Sequence, residues 1–168
     1  MAGTIYWIEG PWLGHLAIVA RPRGHEWLVD EVRQWRQAGL DVVVSLLTRG
    51  EAVELSLQRE EEVVEEHGMQ FLTFPILDRS IPSSLWEMRQ FVERLHALLA
   101  AGQNIGIHCR QSIGRAGLLA ASLLIYSGFE VAAAFNRVQV ARGCAVPETA
   151  EQREWVERFA ALEAVPGL

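Results

Sequence analysis

Residues 105–117, IGIHCRQSIGRAG, constrain the fold of this 168-residue chain more than any other stretch. A short apolar run, Ile105 to Ile107, ends in His108 and Cys109. Five residues separate Cys109 from Arg115, where an Ala/Leu-rich helical pattern begins. The pattern places a thiol at the mouth of a strand, then a tight loop, then a helix start. Backbone N–H groups of such a loop converge on one point, and the helix dipole favours negative charge there. The same donors favour the thiolate form of Cys109. Arg115 adds a planar fork that holds two oxyanion oxygens at once. A nucleophile, a cradle of donors and a guanidinium in one loop point to attack on a tetrahedral oxyanion, a phosphate ester above all.

The rest of the chain supplies strands and helices in alternation. Strands are expected at 5–8, 16–20, 42–47, 71–75 and 105–108. The run 42–47 is continuous and β-branched, as in a parallel strand buried on both faces. Helices are expected at 26–38, 58–67, 84–101, 115–126, 130–142 and 147–162, with Gly39, Gly68, Gly102, Gly128 and Gly143 as stops. Ser84-Leu-Trp-Glu87 and Thr149-Ala-Glu-Gln152 have the capping-box pattern. The alternation implies one α/β domain over 1–168, a central mostly parallel sheet flanked by helices. Ligands of open parallel sheets bind beyond the carboxyl ends of strands, where Cys109 is expected. The glutamates at 60–62 and 65–66 read as a solvated helix surface.

Composition removes several function classes. The formal charge of −6 disfavours nucleic-acid binding. Two cysteines make no disulfide framework and fit a reducing, cytoplasmic setting. No signal peptide, membrane-spanning run or zinc-spaced His/Cys cluster is apparent. Cys144 reads as a small core residue rather than a redox partner of Cys109.

A thiolate that expels an alkoxide or phenoxide needs a proton donor opposite it. The chain has three aspartates. Asp30 falls within a helix and Asp41 opens a buried strand. Asp78 sits in the loop Pro75-Ile-Leu-Asp-Arg-Ser-Ile-Pro82, where an acid can move in and out of a site. The alternative is that Asp78 only makes a turn.

His108-Cys109, five residues and Arg115 resemble the signature loop of the cysteine-dependent protein tyrosine phosphatases, nearest the small dual-specificity-like members. The resemblance implies a phosphatase-like three-layer sandwich and hydrolysis of phosphomonoesters through a cysteinyl-phosphate, without metal or other cofactor. Cys109 would be the nucleophile. Residues Arg110, Gln111, Ser112, Ile113, Gly114 and Arg115 would bind phosphate. Asp78 matches the general acid that the family carries in a Pro-rich loop roughly thirty residues before the cysteine. Glu148-Thr149-Ala-Glu151-Gln152 matches the family's E-T-x-E-Q sequence, so Gln152 would orient water or substrate. Its alternative is to cap a helix with Thr149. His108 is expected to bond the loop backbone and tune the cysteine. The implied partners are phosphorylated proteins or peptides, phosphotyrosine first, then phosphoserine and phosphothreonine. A phosphoinositide substrate and a phospho-binding pseudo-phosphatase are the alternatives, with rhodanese-like or arsenate-reductase chemistry a further rival. Oligomeric state is open.

Two positions depart from the family's pattern. Ala116 replaces the usual Ser or Thr whose hydroxyl donates to the cysteine sulfur, which predicts slow phosphoenzyme breakdown. The prenylated liver-regeneration phosphatases also have Ala there, but Val165-Pro166-Gly167-Leu168 is not a prenylation box. Ser112 replaces a common glycine, at a cost if the backbone needs an unusual dihedral there.

Overall fold

The structure, a computed structural model, describes residues 3–164. Residues 1–2 and 165–168, where the absence of a prenylation box was read, fall outside the described residues. Five strands form one sheet: β1 (Ile5–Ile8), β2 (Leu16–Val19), β3 (Val42–Ser45), β4 (Gln70–Thr73) and β5 (Ile105–His108). Their order is β1-β2-β5-β3-β4, with β1 antiparallel at one edge and every other pairing parallel. β2, β3 and β5 are buried along their whole length, as parallel strands covered on both faces must be. β5 is the middle strand. Ile107 stands opposite Ile18 and Val44, and His108 opposite Ser45. Cys109 is therefore the first residue beyond the carboxyl end of the central strand.

A 3-10 turn (His25–Trp27) leads into α1 (Leu28–Gln37), which with α3 (Glu60–Glu66) covers one face. Leu28, Val32, Trp35, Val63 and Val64 pack there on Ala17, Val19 and Val43. The other face carries α4 (Leu85–Ala100), α5 (Gly114–Tyr126), α6 (Val131–Arg142) and α7 (Ala150–Glu163). This is the expected three-layer α/β sandwich with a mostly parallel sheet. The Ser84 hydroxyl accepts from Glu87 N–H at the start of α4, and the Thr149/Gln152 capping box opens α7. One helix went unread in the sequence: α2 (Arg49–Glu54), whose six residues are too few to show an apolar period.

α5 is buried from Gly114 to Ile125, so it is the centre of its layer. A mid-helix glycine ordinarily costs about 1 kcal/mol against alanine. Gly117 is needed because a Cβ there would lie 2.1 Å from Val146 Cγ1. Gly117→Ala should destabilise the fold by about 1–3 kcal/mol through overpacking, read from urea unfolding. Adding Val146→Ala should recover most of that loss. A single Gly117→Ala variant as stable as the parent would contradict this packing.

Candidate active site

The sheet delivers Cys109 to the bottom of a loop, 2% exposed, and α5 begins five residues later. The loop turns at Ser112, whose φ is +55°. A left-handed residue with a Cβ costs roughly 1–2 kcal/mol. Two contacts of the Ser112 hydroxyl offset it: it donates to Val19 C=O at 2.7 Å and accepts from Cys109 N–H at 3.5 Å. Gly114 admits Gln152 against the loop, since a Cβ would sit 2.9 Å from Gln152 Oε1.

Arg115 is 1% exposed although it carries a full charge. Glu51 holds it bidentately, Oε1 to Nη1 at 2.7 Å and Oε2 to Nη2 at 2.8 Å. Nη1 also donates to Ile76 C=O at 2.6 Å, and Nη2 to Asp78 Oδ1 at 2.9 Å. Burial works against the guanidinium's charge. The Glu51 hydrogen bonds, the Cys109 sulfur, and the Glu51 and Asp78 charges favour it, and the balance lies above the ordinary arginine value.

Glu51 is the site residue that the sequence reading missed. Thr48-Arg-Gly-Glu51 is a capping box: the Thr48 hydroxyl accepts from Glu51 N–H, and Glu51 Oε1 accepts from Thr48 N–H. That pattern was the available signal, but nothing in it names Arg115 as the partner. Burial raises the Glu51 carboxyl's affinity for a proton. Hydrogen bonds from Arg115 and Thr48 N–H, the Arg115 charge and a hydrogen bond from Arg110 outweigh it and hold the pKa at about 2.

Asp78 lies beside Arg115, its side chain 44% exposed and Oδ1 accepting from Nη2. Its loop is anchored beyond it. Arg79 meets Glu148 at 3.4 Å, and Ser80 C=O accepts from Gln152 Nε2 at 3.0 Å. Gln152 is buried, and its Oε1 accepts from Glu148 and Thr149 N–H groups. It is thus the helix cap, with both ends of its amide engaged by the protein. Arg110 leans over the rim, paired with Glu54 at 2.6 Å and Glu51 at 3.3 Å, and Gln111 is exposed. The loop's backbone is held from outside: Arg21 donates to Arg110 C=O at 3.1 Å, and Arg142 to Ser112 C=O at 2.8 Å and Gln111 C=O at 3.3 Å.

Two expectations need correction. His108 does not bond the loop backbone: its Nε2 lies 2.5 Å from Glu60 Oε1, and Nδ1 has no partner among the described residues. Glu60 is not solvated but 2% exposed, while Glu61, Glu62, Glu65 and Glu66 are exposed as expected. A buried carboxylate requires a polar partner, and His108 at the end of the central strand supplies one. Cys109 and Cys144 are free thiols, Cys144 half-buried against the core, and Ala116 is buried in it. Among the described residues no group of three or more His, Cys, Asp or Glu is placed to hold a metal ion, and no helix is long and apolar enough to cross a membrane.

Residues 17–129 match the family described as Tc-R-P, polymorphic toxin system, DSP-PTPase phosphatase. The chain belongs to this phosphatase family. The match contains Glu51, Asp78, Cys109 and Arg115. A curated relative, cyclin-dependent kinase inhibitor 3 of Rattus norvegicus, is 26% identical over 77% of this chain and 61% of its own length. The chain spans less than two thirds of the length of the curated relatives it matches. Among solved structures, kinase associated phosphatase with its catalytic-site cysteine replaced by serine superposes with a TM-score of 0.88 at 20% identity, covering 98% of each chain. Tk-PTP in its active form superposes with a TM-score of 0.76 at 27% identity, covering 94% of this chain and 96% of its own. The fold seen here is thus shared with these phosphatases.

The depressed Glu51 carboxyl gives a pH signature. A group whose folded value is lowered adds stability that is complete above its ordinary 4.5 and is lost as pH falls through about 2. Glu51→Gln should be less stable than the parent by roughly 3 kcal/mol near neutral pH, since it leaves a buried guanidinium short of its partner. The gap should close as pH is lowered toward 2. Urea unfolding at stepped pH reads it, and a gap independent of pH would show that the ion pair is not its source.

Proposed function

We propose that this chain hydrolyses phosphomonoesters through a cysteinyl-phosphate, with phosphotyrosine in proteins or peptides as its first substrate. One observation carries the proposal: the loop beyond the central strand holds Cys109 and Arg115, the Cys109 sulfur acts electrostatically on the Arg115 guanidinium, and Asp78 Oδ1 lies 2.9 Å from that same guanidinium. The phosphoryl oxygens would take Arg115 and the backbone N–H groups of 110–115. Cys109 Sγ attacks phosphorus, the ester P–O bond breaks, and Asp78 gives its proton to the leaving oxygen. Water then attacks phosphorus while the Asp78 carboxylate takes its proton, the S–P bond breaks with its electron pair returning to Cys109 Sγ, and inorganic phosphate leaves. Side chains and backbone supply every step.

A chain that must keep Cys109 as a thiol fits a reducing, cytoplasmic setting. Ala116 lends the sulfur no hydroxyl, so breakdown of the phosphoenzyme is the step expected to be slow.

The protein should hydrolyse an aryl phosphate in excess EDTA, and Cys109→Ser should abolish turnover. Turnover retained in that variant would sink the assignment. Tight phosphopeptide binding without turnover in the parent would replace it with a phospho-binding role. Asp78→Ala should lower kcat/KM, which reports the step that expels the leaving group, by ~10²–10⁴ for alkyl phosphates and by much less for esters of acidic phenols. An equal loss for both would place the general acid elsewhere.

A further inference from the structure

We infer that Arg21 and Arg142 are positioning residues that aim the loop's N–H groups at the phosphoryl group. The inference rests on the proposed function for its substrate. Its geometry is independent of that reading.

Three consecutive loop carbonyls, those of Arg110, Gln111 and Ser112, are each hydrogen-bonded by a guanidinium from outside the loop. In a trans peptide, the C=O of one residue and the N–H of the next point in opposite directions. Holding these three carbonyls therefore directs the N–H groups of Gln111, Ser112 and Ile113 away from the two arginines. A loop that cradles an oxyanion needs its donors fixed on one side before the substrate arrives, because reorienting them during reaction would forfeit the stabilisation. The guanidiniums also polarise each peptide unit they touch, which strengthens the donor at its other end.

The two arginines reach the loop from separate places. Arg21 follows β2 by two residues, and Arg142 is the last residue of α6. Arg142 is itself held over the Tyr6 ring at 4.2 Å, so β1 fixes the helix end that fixes the loop. The arrangement also accounts for the left-handed turn at Ser112. That residue is tied through its hydroxyl to Val19 and through its carbonyl to Arg142, so the strained turn has little freedom to relax. Arg142 lies beyond the residues matched by the family, which end at 129.

Tungstate, a tetrahedral oxyanion, reads the cradle without requiring turnover. Calorimetric binding of tungstate and kcat and KM for an aryl phosphate would be compared across the full chain, Arg142→Ala, Arg142→Lys, Arg21→Ala and Arg137→Ala. Arg142→Ala should weaken tungstate about tenfold and lower kcat more than it raises KM, because the transition state uses the donors most fully. Arg142→Lys should recover part of the loss, and Arg21→Ala should show a smaller loss of the same kind. Arg137 lies on the same helix but donates to Glu9 C=O, outside the loop. Its alanine variant removes equal charge and should bind tungstate as the parent does.

A folded Arg142→Ala with tungstate affinity and kcat within about twofold of the parent would overturn the inference. So would an equal loss in Arg137→Ala, which would reduce the effect to net charge. If Arg142→Ala does not fold, Arg21→Ala decides, and parental tungstate affinity in it would overturn the inference. A parent that binds tungstate without turning over any ester would overturn the proposed function and leave this inference standing.

Discussion

A guanidinium with 1% of its surface exposed is the constraint on which this structure turns. Removing such a charge from water costs several kcal/mol, and only a well-formed partner offsets it. Glu51 is that partner, and it is itself fixed by the Thr48 cap of α2. Arg115 then gathers three segments: α5 through its own backbone, the β3–α2 connection through Glu51, and the acid loop through Ile76 C=O and Asp78. The loop around Cys109 is thus shaped by a contact between residues 64 positions apart.

In the proposed reaction the same guanidinium would link recognition to proton transfer. Asp78 occupies an N–H of Nη2, so a phosphoryl group that took Arg115 would displace it. Its side chain is 44% exposed, and beyond it the loop is tied at Ser80 to Gln152.

Much of this was legible in the sequence because it is local. The strand–loop–helix around Cys109, the capped start of α7, and the loop position of Asp78 all follow from runs of a few residues. The fold class followed from the alternation of such runs. What escaped was long-range and carried by residue types common on surfaces. Glu51 looked like any glutamate, Glu60 like one of a solvated acidic row, and Arg21 and Arg142 like surface charges. Each is defined by a partner far along the chain, and no periodicity points there. His108 was misread for the same reason: its neighbour in sequence is the loop, but its neighbour in space is Glu60 on α3. At Ser112 the departure from glycine marks a position of unusual backbone, and the structure shows that it is left-handed and held by two hydroxyl contacts.

The account stands or falls on Cys109 as the nucleophile. Its most direct measurement is rapid acid quenching of the protein with an aryl phosphate labelled at phosphorus, followed by peptide mass spectrometry. The account predicts one phosphoryl group per chain on the peptide containing Cys109, formed at the rate of phenol release and persisting because Ala116 offers the sulfur no hydroxyl. Phenol release with no phosphoryl group on that peptide, or with the label on another residue, would contradict it.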